Sequence, residues 1–211
     1  MSKNFDKQPD LEKFPRFITF EGMDGSGKTT QSKKLYQYLI SKGIQTIWTR
    51  EIGGTEIAEQ IRDIVVSNEL ITKTELLLIL AARCENVEKV IRPALNSGAI
   101  IICDRFIDST AAYQSETSED MNRILDLHKI LFDNLMPDKT FFLKLDPEDA
   151  LARANERGDI NKYEMKDMQF RKKVAENYDV LISKYPNRFV KLDASLTQEE
   201  IFESILSNTN Q

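Results

Sequence analysis

Residues 17–30 read Phe-Ile-Thr-Phe-Glu-Gly-Met-Asp-Gly-Ser-Gly-Lys-Thr-Thr. Phe17–Phe20 is a short run of aromatic and β-branched side chains, the composition of a buried strand. From Gly22 to Thr29 the chain fits G-x-x-x-x-G-K-[ST] at each fixed position. Beyond it, Leu35, Leu39 and Ile40 give the apolar side of a helix. Strand, glycine loop and helix are what a backbone anion site requires. Gly22 and Gly27 let the chain fold tightly, so that successive N–H groups point inward. The helix N-terminus adds partial positive charge. Lys28 supplies a mobile ammonium for β- and γ-phosphates, and the Thr29 hydroxyl can ligate Mg²⁺. Gly22, Met23, Asp24, Gly25, Ser26, Gly27, Lys28 and Thr29 are therefore the candidate ATP-binding loop.

Working outward, similar short runs recur at Ile44–Thr49, Ala99–Cys103, Thr140–Leu145 and Phe189–Leu192. They alternate with helical patterns, which predicts an α/β domain with a parallel sheet covered on both faces. Thr72 with Glu75, and Thr197 with Glu200, have capping-box spacing. Asp146 is placed to cap a helix that has Pro147 in its first position and Gly158 at its end. Ile57, Ile61, Ile64 and Val65 form one apolar stripe. Met121, Ile124, Leu125, Leu131, Phe132 and Leu135 form another, on which His128 reads as a packed core residue.

The chain has 211 residues, 41% of them hydrophobic, enough for one packed domain. Residues 1–15 read as a polar tail ahead of a single domain over 16–211. No apolar run approaches the ~20 residues of a membrane helix, and the N-terminus has no secretory pattern. The net charge of −5 argues against a nucleic-acid or anionic-membrane partner, so anionic ligands must be held by locally placed cations. Cys84 and Cys103 sit among apolar residues and read as buried free thiols rather than a disulfide framework. A cytoplasmic protein is the expectation.

Ile100–Cys103 runs into Asp104 and Arg105. A buried strand ending in Asp beside a phosphate loop is where a Mg²⁺-holding carboxylate belongs, which makes Thr29 and Asp104 the candidate metal residues. The motifs of a GTPase switch are missing. Asn161-Lys162-Tyr163-Glu164 has Glu where N-K-x-D needs Asp, and Asp104-Arg105-Phe106-Ile107 lacks the Gly of D-x-x-G. A non-catalytic ATP-binding regulatory module would need only the loop. A small kinase needs a second set of cations to orient an anionic acceptor. Arg50 and Arg105 are strand-terminal, where ligands of open parallel sheets sit. Arg62 and Arg83 lie on the helices between them.

The segments FITFEGMDGSGKTT, TREIGGTEIAEQIR, LAAR, CDRFIDSTAAYQ and the stretch around Glu156-Arg157-Gly158 resemble the bacterial thymidylate kinase family, in order from Phe17 to Leu192. The resemblance implies a P-loop kinase fold: three layers, a five-stranded parallel sheet flanked by helices, and a small helical lid at about residues 153–165. It implies transfer of the γ-phosphoryl of ATP to dTMP, giving dTDP and ADP for dTTP synthesis, usually in a homodimer. Another nucleoside monophosphate kinase or a deoxynucleoside kinase is the alternative. By the same resemblance, Asp24 would bind the sugar 3′-hydroxyl or organise the acceptor site. Arg50, Arg62, Arg83 and Arg105 would surround the acceptor phosphate or the transferring phosphoryl. Ser109, Thr110 and Gln114 would face the base, and Tyr113 would pack near the sugar 2′ position. Gly25 stands where some members carry a loop cation, so Arg157 of the lid would join Lys28 and Arg105 as a catalytic charge and bind ATP. Two departures stand out. Ile79 replaces the usual Phe over thymine, and Ile52-Gly53-Gly54 replaces Pro-Gly-Gly, removing a residue that fixes φ and favours a cis bond.

Overall fold

The computed structural model describes residues 13–157, 162–163 and 166–209. Five strands, β1 (Phe17–Glu21), β2 (Thr46–Arg50), β3 (Ile100–Asp104), β4 (Lys139–Lys144) and β5 (Phe189–Asp193), form one sheet in the order β2-β3-β1-β4-β5. Each recorded pairing is parallel. The central β1 and β3 are buried at every position, as strands covered on both faces must be. Ile18, Phe20, Ile100, Ile101 and Ile102 are fully buried, and each such side chain contributes roughly 1.5–3 kcal/mol.

Helices α1 (Lys28–Ser41), α2 (Glu56–Ser67), α3 (Thr72–Asn86), α4 (Arg92–Asn96), α5 (Ile107–Gln114), α6 (Ser118–Leu131), α7 (Pro147–Arg157), α8 (Met168–Lys184) and α9 (Gln198–Thr209) connect and cover the strands. Between α3 and α4 the helix widens into one π turn, Val87–Ile91. Arg83 and Asn86, just before it, are turned into the interior.

Several expectations need correction. Strand β2 starts at Thr46, because Ile44 still donates its N–H to Leu39 O in closing α1. Strand β3 starts at Ile100, because Ala99 donates to Ala94 O, and it extends to Asp104, opposite Arg50. Phe14, placed in the tail, is buried in the core. Thr72 and Glu75 make no capping box; Ile71 takes the N-cap position and Glu75 is engaged elsewhere. The Thr197–Glu200 box is present, and an unanticipated one joins Thr117 to Asp120. Asp146 accepts the Glu148 N–H as α7 begins at Pro147. Gly158, the expected end of α7, lies outside the described residues. Ile57, Ile64 and Leu131 are exposed rather than core. Cys84 is exposed on α3, while Cys103 is buried and its Sγ–H donates to Arg105 O. His128 is buried between Phe106 and Phe132, and burial pulls its pKa down to about 4.

Candidate active site

The loop between β1 and α1 turns on glycines with positive φ: Gly22 at 140°, Gly25 at 87° and Gly27 at 90°. A Cβ at Gly25 would collide with the Ala150 carbonyl oxygen, and one at Gly22 would lie 2.6 Å from Leu143 O. Both positions therefore require glycine for space as well as for conformation. The Lys28 ammonium donates to Met23 O at 2.7 Å and lies 3.8 Å from Asp24 Oδ1. Burial, with the nearby Arg105 charge, brings its pKa down to about 8.

Asp104, at the end of β3, accepts a hydrogen bond from the Thr29 hydroxyl. Its other oxygen, Oδ1, is buried and has no hydrogen-bond partner among the described residues. An orphaned carboxylate oxygen beside a hydroxyl, next to a phosphate loop, fits a hard divalent cation. Among the described residues no group of three or more His, Cys, Asp or Glu could hold a metal. Two protein oxygens completed by phosphate and water suit Mg²⁺, which keeps most of its water.

Two cavities open at the carboxyl ends of the strands. The first follows the glycine loop and is lined by Asp24, Gly25, Gly27, Lys28 and Thr29, with Arg50, Asp104 and Arg153 around them. Gly22, Met23 and Ser26 lie behind this surface: Gly22 and Met23 present carbonyls to Arg105 and Lys28, and Ser26 is buried. The second cavity is lined by Ile79, Arg83, Ser109, Thr110, Tyr113 and Gln114, all anticipated, and by Tyr163. Asp24, Arg62 and Arg105 belong to both, so the cavities meet at those residues.

Arg105 sits at the junction with φ 70°, a left-handed conformation that costs a non-glycine residue roughly 1–3 kcal/mol. Its guanidinium donates to Gly22 O and Ser109 Oγ, both at 2.9 Å, and to Asp24 Oδ1. It also lies over the Tyr113 ring, 5.2 Å from the centroid. The four-residue spacing of Arg105, Ser109 and Tyr113 predicts one helix face; Ser109 and Tyr113 share α5, whereas Arg105 lies before that helix and reaches both through its guanidinium. Arg62 donates to Ile52 O at 3.1 Å and makes no ion pair among the described residues. Burial, then the Arg50 charge, lowers its pKa. An anion arriving there relieves that repulsion. Arg50 is held by Glu59 through two hydrogen bonds, 2.6 and 3.1 Å, and faces the first cavity only.

Arg83 is 1% exposed. It donates to Glu51 Oε2 at 2.6 Å and Thr110 Oγ1 at 2.7 Å, while its Nη1 has no hydrogen-bond partner among the described residues. Glu51, buried beside it, has a raised pKa because burial outweighs the Arg83 charge. The Glu51–Ile52 peptide bond is cis without a proline, contrary to the expectation for Ile52. Gly54, φ 93°, leaves no room for a Cβ against Thr49 and Asn86. Arg157 ends α7, and its side chain lies outside the described residues, as do residues 158–161 and 164–165 of the expected lid.

Three carboxylates were not anticipated. Glu21 is fully buried and accepts from Phe106 N at 2.8 Å, Ser109 Oγ at 2.5 Å and Tyr178 OH at 3.0 Å. Burial, then the Asp108 charge, raises its pKa to about 7. Ser109, expected at the base, spends its hydroxyl on this network. Glu51 supports Arg83, and Glu75 accepts from Gln114. The one signal for Glu21 was an acid closing an otherwise apolar strand; Glu75 read as a capping-box partner of Thr72, and Glu51 carried no signal of its own.

The thymidylate kinase family profile matches residues 20–205. The chain is 46% identical over 201 residues to the thymidylate kinase of Orientia tsutsugamushi, covering 92% of this chain and 93% of that one. It is 46% identical over 192 residues to the thymidylate kinase of Rickettsia typhi, covering 90% and 95%. The crystal structure of thymidylate kinase from Ehrlichia chaffeensis superimposes with a TM-score of 0.74 at 34% identity, covering 91% of this chain and 97% of that one.

Proposed function

Because this chain belongs to the thymidylate kinase family, we propose that the two cavities hold ATP and dTMP with their phosphates facing across Arg62 and Arg105. The enzyme is an ATP-dependent nucleoside monophosphate kinase that transfers the γ-phosphoryl of ATP to dTMP, giving dTDP and ADP. The observation that carries the arrangement is the junction: the same two arginines line both cavities, and one of them makes no ion pair among the described residues.

A dTMP phosphate oxygen attacks the γ-phosphorus in line, and ADP leaves without a covalent enzyme intermediate. Such a transfer depends on positioning and on charge placed where the transition state develops it. The backbone N–H groups of the glycine loop and Lys28 hold the donor phosphates. Thr29 and Asp104 would hold Mg²⁺, which when bound neutralises charge on the donor oxygens. Arg105 stands at the line of transfer, fixed by Asp24, Gly22 and Ser109. Arg157 of the lid, taken as residues 153–165, adds a further catalytic cation as the lid excludes water. In the acceptor cavity Arg62 meets the phosphate, Tyr113 packs on the sugar, and Ile79, Thr110 and Gln114 surround the base. Arg83 reaches the base end through its free Nη1. Arg50 acts from the donor side, through Glu59.

The chain works as one kinase domain that includes Phe14 in its core, and as a homodimer that buries apolar side chains left exposed on α2, α3 and α6, such as Ile64, Leu77 and Ile130. A cytoplasmic location fits, and no helix among the described residues is long and apolar enough to cross a membrane. The decisive assay is ADP release with dTMP, other nucleoside monophosphates and thymidine as acceptors. It should show turnover with dTMP and none with thymidine. Turnover on thymidine alone, or ATP turnover indifferent to any acceptor, would overturn the assignment.

A further inference from the structure

Glu75, in the first turn of α3, is a hub for three donors. Gln114 Nε2 reaches its Oε1 at 3.0 Å, the Tyr163 hydroxyl reaches the same oxygen at 2.9 Å, and Lys162 Nζ reaches Oε2 at 2.5 Å. The Glu75 and Lys162 side chains are 12% and 10% exposed, so this ion pair is largely withdrawn from water. A carboxylate paired with an ammonium only accepts hydrogen bonds. Gln114 can therefore meet Glu75 only with its NH₂, because its carbonyl oxygen would face another acceptor. Gln114 is 8% exposed, closes α5 and lines the second cavity. Its carbonyl oxygen makes no other hydrogen bond among the described residues and is the group left for a ligand.

We propose that Glu75 is a positioning residue that locks the Gln114 amide with its carbonyl oxygen toward the acceptor base, so that the pocket selects a pyrimidine carrying a hydrogen on N3. This rests on the second cavity being the dTMP site. Thymine and uracil donate from N3 and satisfy the carbonyl. Cytosine presents a lone pair at N3, which would oppose that oxygen, and its N4 amino group could satisfy it only if the ring shifted from the place thymine takes. An unrestrained glutamine could rotate its amide and serve either ring. Held by a carboxylate that cannot donate, it serves one. The selectivity thus originates on α3, about forty positions earlier in the chain than the group that touches the base.

The test compares kcat/KM for dTMP, dCMP and dUMP in the wild type and in Glu75→Gln. The variant keeps the side-chain shape but offers both a donor and an acceptor, freeing the Gln114 amide to turn. The preference for dTMP over dCMP should fall about ten- to a hundredfold, the range for one buried polar mismatch. The preference for dTMP over dUMP should hold, since both rings carry the N3 hydrogen. An unchanged dTMP-to-dCMP ratio, or an equal fall in both ratios from a loosened pocket, would overturn the proposal. The exchange Glu75→Gln with Gln114→Glu keeps the bond between the two positions and again leaves an acceptor facing the base. It should recover selectivity against dCMP; if it folds and stays indiscriminate, the proposal fails even where Glu75→Gln alone does not fold. A wild type that does not turn over dTMP would instead overturn the reading of the cavity.

Discussion

The donor and acceptor halves proposed for the site are built in opposite ways. The donor half is one continuous stretch, Gly22–Thr29, that works through its backbone. Its glycines sit where a Cβ would strike Ala150 or Leu143, and its one charged anchor is Lys28. The acceptor half gathers side chains from β1, the β2–α2 connection, α2, α3, the β3–α5 connection and α5, and two of its three arginines are held by carboxylates: Arg83 by the buried Glu51, and Arg105 by Asp24 with Glu21 behind Ser109. A backbone cradle needs no partners to hold its shape. A cluster of buried charges does, because each ion left unpaired costs several kcal/mol.

The contrast predicts where stability is lost and where only rate is lost. The largest effect on folding should come from Arg83→Met, which leaves Glu51 buried without its cation. We expect a loss of about 3–5 kcal/mol in urea unfolding. Adding Glu51→Gln should recover much of it, because the stranded charge is then gone. If the two variants are equally unstable, the pair is not what organises this half.

Lys28→Ala should do the reverse. Its ammonium titrates near pH 8 because burial opposes the charge, so the fold gains little from it. We expect kcat to fall about a hundred- to a thousandfold, the usual effect of removing one preorganised transition-state charge. The dTMP KM should move by no more than about twofold, and the urea midpoint should not fall. A large rise in the dTMP KM would place Lys28 in the acceptor half and erase the distinction.

The smallest effect is a slope with pH. The Glu21 carboxyl, ordinarily near 4.5, titrates at about 7 in the folded chain. Between those values the folded chain binds a proton that the unfolded chain has released, so the contribution of Glu21 to stability is fully present below pH 4.5, falls as pH rises, and is lost above about 7. Glu21→Gln cannot ionise and should lack this contribution. Urea midpoints from pH 5 to 8 should therefore decline more steeply for the wild type than for the variant. Parallel lines would show that Glu21 is not held in a buried, proton-binding state.

The same contrast decides what could be read from sequence. The donor loop was legible because its chemistry is contiguous: spacing alone specifies Gly22, Gly27, Lys28 and Thr29. Strand-terminal Asp104 and Arg105 could be read from the apolar run before them, and Ser109 and Tyr113 share α5 as their four-residue spacing requires, although Arg105 lies ahead of that helix. The acceptor cations were found by their place at strand ends and through the family resemblance. Their supports were not. The local patterns around Glu21, Glu51 and Glu75 do not disclose those roles; each role is defined by a partner far along the chain. Capping logic failed at Glu75 for the same reason, since Lys162, Tyr163 and Gln114 compete for its oxygens and win. The apolar stripe of α2 was correctly periodic, but periodicity does not say whether Ile57 and Ile64 face the core or lie exposed, as they do here.

The most direct test of the central claim, that the two halves meet head to head at Arg62 and Arg105, uses one molecule in which adenosine and thymidine are joined through their 5′ positions by a polyphosphate chain. It should bind one per chain, more tightly than ATP or dTMP alone, and compete with both at once. A conjugate that competes with only one of them, or that leaves room for dTMP to bind beside it, would show that the two cavities do not form a single line of transfer.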